Sequence, residues 1–317
     1  MNDVRNGIIG IAIGDALGVP VEFESRESLE RNPVTNMRAY GTHEQSLGTW
    51  SDDTSLTLCL AESLLHGYDI ERIARSFLDW KLKGLWTAHG KIFDIGVQTH
   101  NSLNDIYRIL ESGDCESLRF LKYEAKESSN GNGSLMRILP MYFFLKDKGL
   151  ENNFDIIWEV SALTHQHMRA AISCLLYLVM IDELIKNDNI QDAYLRVKER
   201  MTAFFENHHD ILHDEKQYFE RIIEIDISTL AQNEINSDGY VINTLEATFW
   251  CLMTTSSYKD AVLKAVNLGW DTDTTGAIVG GLAGIFYGID TAPSEWYENI
   301  ARIREIEALC DELHANL

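Results

Sequence analysis

Apolar residues recur along this chain at spacings of three and four, the pattern of helices that bury one face. Leu56, Leu60 and Leu64 mark one such face, and Ile70, Ile73, Phe77 and Trp80 mark another. Apolar and polar residues rarely alternate between Asn-Gly or Asp-Gly turns, the pattern expected of β-hairpins, and Asp238-Gly239 leads into a segment that reads as helix. Only Pro20, Pro33, Pro140 and Pro293 punctuate the pattern. It predicts an all-α fold of roughly a dozen helices packed as a single compact, orthogonal multi-helix domain. No fixed-length repeat or low-complexity linker divides the chain, so one domain is expected over residues 1–317. The polar stretch from Ser25 to Gly48 predicts a long loop, and loops of that size are often functional.

Gly276, Gly280, Gly284 and Gly288 recur every four residues in the helix expected after Asp273. Each glycine costs a helix about 1 kcal/mol relative to alanine, so such a stripe implies close approach by a neighbouring helix. That helix is expected to be central and to hold Asp271 and Asp273 on a rigid support.

Composition narrows the chemistry. An apolar fraction of 45% over 317 residues can fill a core. Five cysteines without a close CxxC pair suggest neither a disulfide framework nor a zinc ribbon, and fit a reducing cytoplasm. The opening Met1-Asn2-Asp3-Val4-Arg5 lacks the layout of a secretory signal. The apolar and glycine stretch from Thr275 to Ile289 is shorter than the roughly 20 residues that span a bilayer, so a soluble protein is expected. A formal net charge of −22 without a basic run argues against nucleic acid as a partner. An anionic ligand would then have to be held by backbone N–H groups, a helix N-terminus or metal ions. No exposed apolar stripe clearly remains once core helices are filled, and a monomer is expected.

Three acidic segments stand out. Ser51-Asp52-Asp53 ends a loop and opens the helix bearing Leu56; its plain reading is an N-cap with acids complementing the helix dipole. Asp271-Thr272-Asp273-Thr274 has the same character. If the two helix starts face one another, Ser51, Asp52, Asp53, Asp271, Asp273 and Thr274 offer an all-oxygen ligand set suited to two hard divalent cations about 4 Å apart. The third segment, Gly14 to Phe23, carries Asp15 and Glu22; packing through small residues, a proline stop and a buried hydrogen-bonding Asp15 would account for it equally well.

Asn130-Gly131-Asn132-Gly133-Ser134 reads either as an ordinary turn or as a nest of backbone N–H groups at a helix start that would hold a pyrophosphate. It is neither a Walker sequence nor GxGxxG.

Taken together and in order, GDALGVPVEF (14–23), GTWSDDTSLTLCLAESL (48–64), FDIG (93–96), GNGSLMR (131–137), LTHQH (163–167) and GWDTDTTGAIVGGLAGIFYG (269–288) resemble the ADP-ribosylglycohydrolase family, which includes the dinitrogenase reductase activating enzymes. The resemblance covers most of the chain. It implies an all-α fold with a metal cleft and a binuclear magnesium or manganese site. Ser51, Asp52, Asp53, Asp271, Asp273 and Thr274 are then the ligands, Ser51 standing where many relatives carry threonine. The resemblance places Glu22 close to the metals and the scissile bond, and makes Asp53, Asp273 and Glu22 alternative proton acceptors. Gly131, Asn132, Gly133, Ser134 and Met136 would cradle a diphosphate, with His165 beside it. The implied reaction is hydrolysis that removes ADP-ribose from a modified protein. Asp94 is either a helix cap or surface charge, or the partner of a guanidinium in an arginine-linked leaving group. Trp50, Trp270 and Tyr240 are aromatic candidates for adenine that would serve equally in a core.

Two other readings compete. His208, His209 and His213 with Asp210 have the spacing of a His-Asp type metal phosphohydrolase, which would bind zinc or iron and lose it near pH 6. A protein of the same fold that binds ADP-ribose without turnover is the non-enzymatic alternative. Arginine-linked mono-ADP-ribose is the expected substrate, while the identity of the target, and serine or another linkage in place of arginine, are left open by the sequence.

Overall fold

The computed structural model describes residues 2–316, apart from the side chains of residues 209–211. Among the described residues it contains sixteen α-helices, eight short 3-10 helices and two isolated β-bridges, an all-α fold. One hydrophobic cluster runs from Val4 to Leu313.

The predicted faces form as expected. Helix Asp52–Leu64 is capped by Ser51, whose hydroxyl accepts from the Asp53 N–H, and Leu56, Leu60 and Leu64 are buried. Asp69 caps helix Ile70–Lys83, Gly84 (φ 73°) ends it, and Ile70, Ile73, Phe77 and Trp80 all lie inside. Burying each such side chain is worth about 1.5–3 kcal/mol. The expected long loop is less irregular than its polarity implies: Ser25 caps a helix over Arg26–Arg31, and a 3-10 turn covers Gly41–His43.

At the centre, the N-terminal helix Asp3–Gly18 and the glycine helix Thr272–Tyr287 touch backbone to backbone. A Cβ built on Gly14 would lie 2.0 Å from the Gly276 carbonyl oxygen, one on Gly10 2.2 Å from that of Gly280, and one on Gly18 2.3 Å from the Asp273 Cα. The stripe is therefore two-sided, Gly10, Gly14 and Gly18 meeting Gly276, Gly280 and the first turn of the glycine helix. Gly288 does not belong to it; with φ 82° it ends the helix instead.

The longest membrane-like run is also in the N-terminal helix, not in Thr275–Ile289. Asp3–Val21 is long and apolar enough by composition to cross a bilayer (mean hydropathy 1.3), yet 94% of it is buried inside the fold, as a core helix is. All five cysteines are free.

Helix propensity alone would make Gly280→Ala stabilising by about 1 kcal/mol. Because the added Cβ would meet the Gly10 carbonyl oxygen at 2.2 Å, the variant is expected to lose about 1–3 kcal/mol in urea unfolding. A gain in stability would contradict the backbone contact.

Candidate active site

The central pair of helices sets the acids. Past Gly18 the chain turns through a 3-10 helix, Val19–Val21, and delivers Glu22; the Thr272 hydroxyl donates to the Gly18 carbonyl (2.8 Å) and fastens this turn to the start of the glycine helix. One carboxylate oxygen each from Glu22, Asp271 and Asp273 lie within 4.8 Å of one another. Asp271 occupies the N-cap position but makes no side-chain cap bond. Its carboxylate instead accepts from Asn132 Nδ2 (2.7 Å), which also donates to the Thr244 hydroxyl.

Helix Asp52–Leu64 brings the second set of acids, held by Asp15. That carboxylate, fully buried, accepts from the backbone N–H of Ser51 (2.9 and 3.0 Å) and from both the N–H (3.1 Å) and hydroxyl (2.6 Å) of Thr54. Asp15 is thus the hydrogen-bonding residue that aligns the Ser51-Asp52-Asp53 turn. The Ser51 and Thr274 hydroxyls both donate to Asp53 Oδ2 (3.2 and 3.4 Å), joining the two helix starts, while buried Asp53 Oδ1 has no hydrogen-bond partner.

Burial, reinforced by the charge of neighbouring acids, holds the carboxyls of Asp52, Asp53 and Asp273 well above the ordinary carboxylate range. Burial likewise raises Asp271, lifts Asp15 to about 6 and pushes Glu22 to about 7. Such crowding leaves the acids short of positive charge, and an orphaned carboxylate oxygen among hydroxyl and carboxylate donors fits a hard divalent cation. The six predicted ligand residues and Glu22 therefore converge.

A cleft of about 540 Å³ opens beside the acids, lined by Glu22, Asp52, Asp271 and Thr274 together with Gly131, Asn132, Gly133, Met136 and His165. Asp94, Trp270, Asp238 and Gly239 also line it. The Gly131–Gly133 loop does not sit on a helix N-terminus: residues 133–137 form turns, and the next helix starts at Pro140. His165 packs against it, an ideal Cβ on Gly133 lying 2.6 Å from the imidazole Cε1. Burial, with the nearby Arg137 charge, lowers His165 to about 3, so it is a neutral imidazole whose Nδ1 meets the Thr164 hydroxyl at 2.9 Å. The Ser134 hydroxyl points away from the cleft and accepts from Ser161 (2.9 Å).

Two contributors were not singled out in the sequence. Arg137, fully buried, donates to the Gly133 and Val160 carbonyls and lies over the Phe77 ring, bracing the loop from behind. His43 is hydrogen-bonded to Glu22. Arg137 was inside a quoted motif; no local signal marks His43. Trp50 belongs to the core, its Nε1 donating to the Ala301 carbonyl (2.9 Å), whereas Trp270 is 52% exposed at the cleft. Tyr240 lines an adjoining hollow with Arg169 and Tyr218. In the His208–His213 segment, His208 bonds the Phe204 carbonyl through Nδ1 (2.9 Å), and the side chains of His209 and Asp210 lie outside the described residues.

Comparison with known proteins identifies the family. The chain is 29% identical to the ADP-ribosylarginine hydrolase Tri1 of Serratia proteamaculans, covering 99% of this chain and 79% of that protein. It is 26% identical to the ADP-ribosyl-[dinitrogen reductase] glycohydrolase of Rhodospirillum rubrum, over 97% and 94%. A solved structure described as an ADP-ribosylglycohydrolase-related protein complex matches with a TM-score of 0.73 at 29% identity, covering 99% of this chain and 98% of that one. The ADP-ribosylglycohydrolase family matches residues 1–317. With the helical fold, the acid cluster and the match along its whole length in agreement, the chain belongs to the ADP-ribosylglycohydrolase family.

Proposed function

We propose that this glycohydrolase removes mono-ADP-ribose from a modified protein side chain, with arginine as the preferred linkage, by hydrolysing the glycosidic bond at the anomeric carbon of the distal ribose. The observation that carries the reading is the convergence of Glu22, Asp271 and Asp273, with the partnerless Asp53 oxygen in the same acid cluster, at a cleft also lined by the Gly131–Gly133 loop and His165. The similarity to arginine-directed hydrolases supports the linkage.

Ser51, Asp52, Asp53, Asp271, Asp273 and Thr274 would hold two magnesium or manganese ions. When bound, these ions offset the carboxylate charge and supply a Lewis acid at the ribose hydroxyls. The diphosphate would lie along Gly131, Asn132, Gly133 and Met136, with Ser134 contributing through its backbone. A neutral His165 suits that place because it adds a polar edge without a charge that must be desolvated. Of the three alternative proton acceptors, Glu22 is the one that lines the cleft, and we assign it the proton of an attacking water; such general-base help is typically worth about 10²- to 10⁴-fold. Asp94, also on the cleft wall, would accept two hydrogen bonds from a departing guanidinium.

Release of free ADP-ribose from an arginine-modified protein is expected to require magnesium or manganese, and to fall on the order of 10²-fold or more in Asp52→Ala and Asp273→Ala. Asp94→Ala should reduce turnover far more on arginine-linked than on serine-linked substrate; equal losses would remove its assigned role. Binding of ADP-ribose without release from any linkage would favour the non-catalytic alternative.

Stability should also report the acids. Glu22 and Asp15 titrate higher in the folded protein than their ordinary values of 4.5 and 3.8, so between about pH 4 and 7 the folded state binds more protons than the unfolded one. In chelator, the melting temperature is therefore expected to fall as pH rises through that window, and added magnesium or manganese to flatten the decline. A melting temperature in chelator that rises across the same window would contradict the crowded-acid account.

A further inference from the structure

Glu22 is surrounded by acids that repel it, yet the proposed chemistry needs its carboxylate in one orientation. The loop over residues 40–45 answers this need. It folds back on the turn that carries Glu22: the Thr42 hydroxyl donates to the Glu22 carbonyl (2.8 Å), and a Cβ on Gly41 would lie 1.9 Å from the Pro20 carbonyl oxygen. The loop then presents His43 Nε2 to Glu22 Oε2. The imidazole packs against two aromatic rings, with ring centroids 6.1 Å from Phe23 and 5.3 Å from Phe93. Its backbone carbonyl accepts from Gln45 Nε2 (2.7 Å). One nitrogen of His43 and one oxygen each of Glu22 and Asp94 lie within 4.8 Å of one another, so the ring is close to two of the acids that line the cleft.

The backbone around this contact is held in costly conformations. Phe23, Tyr40 and Glu44 have φ of 66°, 67° and 53°, a left-handed region in which a non-glycine residue costs of order 1–3 kcal/mol. Phe23 is also tied to Trp270, its N–H donating to the Trp270 carbonyl (2.7 Å) while the Trp270 N–H donates to Glu24 (2.8 Å). Phe23 directly follows Glu22 and Glu44 directly follows His43, so both partners of the contact sit beside such backbone.

We propose that His43 is a positioning residue for the hydrolysis: it holds Glu22 Oε2, fixes the plane of the carboxylate and leaves Oε1 as the oxygen for chemistry. This rests on the glycohydrolase reading of the cleft. Without the imidazole the carboxylate samples rotamers away from the reacting centre, so turnover is lost while the phosphate and ribose contacts persist.

The test uses the full chain with magnesium. His43→Ala is expected to lower kcat about 10- to 100-fold, the range typical of groups that orient a functional ligand, while KM and the Kd for free ADP-ribose stay within about twofold. His43→Gln, whose amide keeps a donor, should recover most of the loss. An unchanged kcat in His43→Ala, a parallel loss of ADP-ribose affinity, or a glutamine variant no better than alanine would overturn the proposal. Independently of turnover, proton–nitrogen NMR of the wild-type chain should show a slowly exchanging, downfield His43 Nε2–H that disappears in Glu22→Ala. Its absence from the wild-type spectrum also overturns the proposal. A wild-type protein that releases no ADP-ribose would mean instead that the glycohydrolase reading has failed, with the NMR measurement still deciding whether His43 holds Glu22.

Discussion

Two helices whose backbones touch govern the rest of this molecule. Ordinary helix pairs are kept 8–10 Å apart by their side chains; here Gly10, Gly14 and Gly18 face Gly276, Gly280 and the start of the glycine helix, and a single methyl group would collide with a main-chain atom. The contact joins residues more than two hundred and fifty positions apart in sequence, as in the Thr272–Gly18 hydrogen bond. It also sets the end of one helix beside the beginning of the other. Glu22 leaves the first just where Asp271 and Asp273 open the second, and Asp15, one residue after Gly14, is turned to receive the Ser51 turn. Glu22, Asp271 and Asp273 are therefore placed by the ends of two helices in backbone contact, the kind of support a metal site requires.

That placement has an electrostatic consequence. A chain of net charge −22 gathers several carboxylates into one buried cluster, where burial and mutual repulsion resist ionisation. Asn132, Ser51 and Thr274 donate hydrogen bonds to the cluster, but neutral donors cannot cancel its charge. The lining formed by Gly131, Asn132, Gly133 and His165 differs in kind: it offers backbone, an asparagine and a neutral histidine, and the Arg137 guanidinium donates to the Gly133 carbonyl. On the proposed reading, the acids would take cations and this lining would take the diphosphate without lysines.

How much of this the sequence revealed follows from the range of the interactions. Features set within one or two helical turns were legible: the apolar faces at Leu56 and Ile70, the Ser51 cap, and the stripe from Gly276 to Gly284. The other half of the stripe, at Gly10, Gly14 and Gly18, has the same spacing but lies in a run so apolar that small residues there did not stand out as a pattern. Polarity misrepresented the segment after Ser25, where an N-cap and a short helix form on the surface. The order of motifs singled out the residues that the structure gathers around the cleft, although it did not show that the helix after Gly131 starts only at Pro140 or that the Ser134 hydroxyl is bonded to Ser161. His43 was invisible because its significance arises from a loop folding back over twenty-one residues to Glu22, which no periodicity encodes.

The central claim is that the two helix starts form one cation site serving the cleft, and anomalous diffraction from crystals grown with manganese and ADP-ribose tests it most directly. The account predicts two manganese peaks about 4 Å apart among Ser51, Asp52, Asp53, Asp271, Asp273 and Thr274, with the distal ribose beside them and the diphosphate along Gly131 to Gly133. An acid cluster free of manganese, or manganese bound instead at the His208–His213 segment, would contradict it.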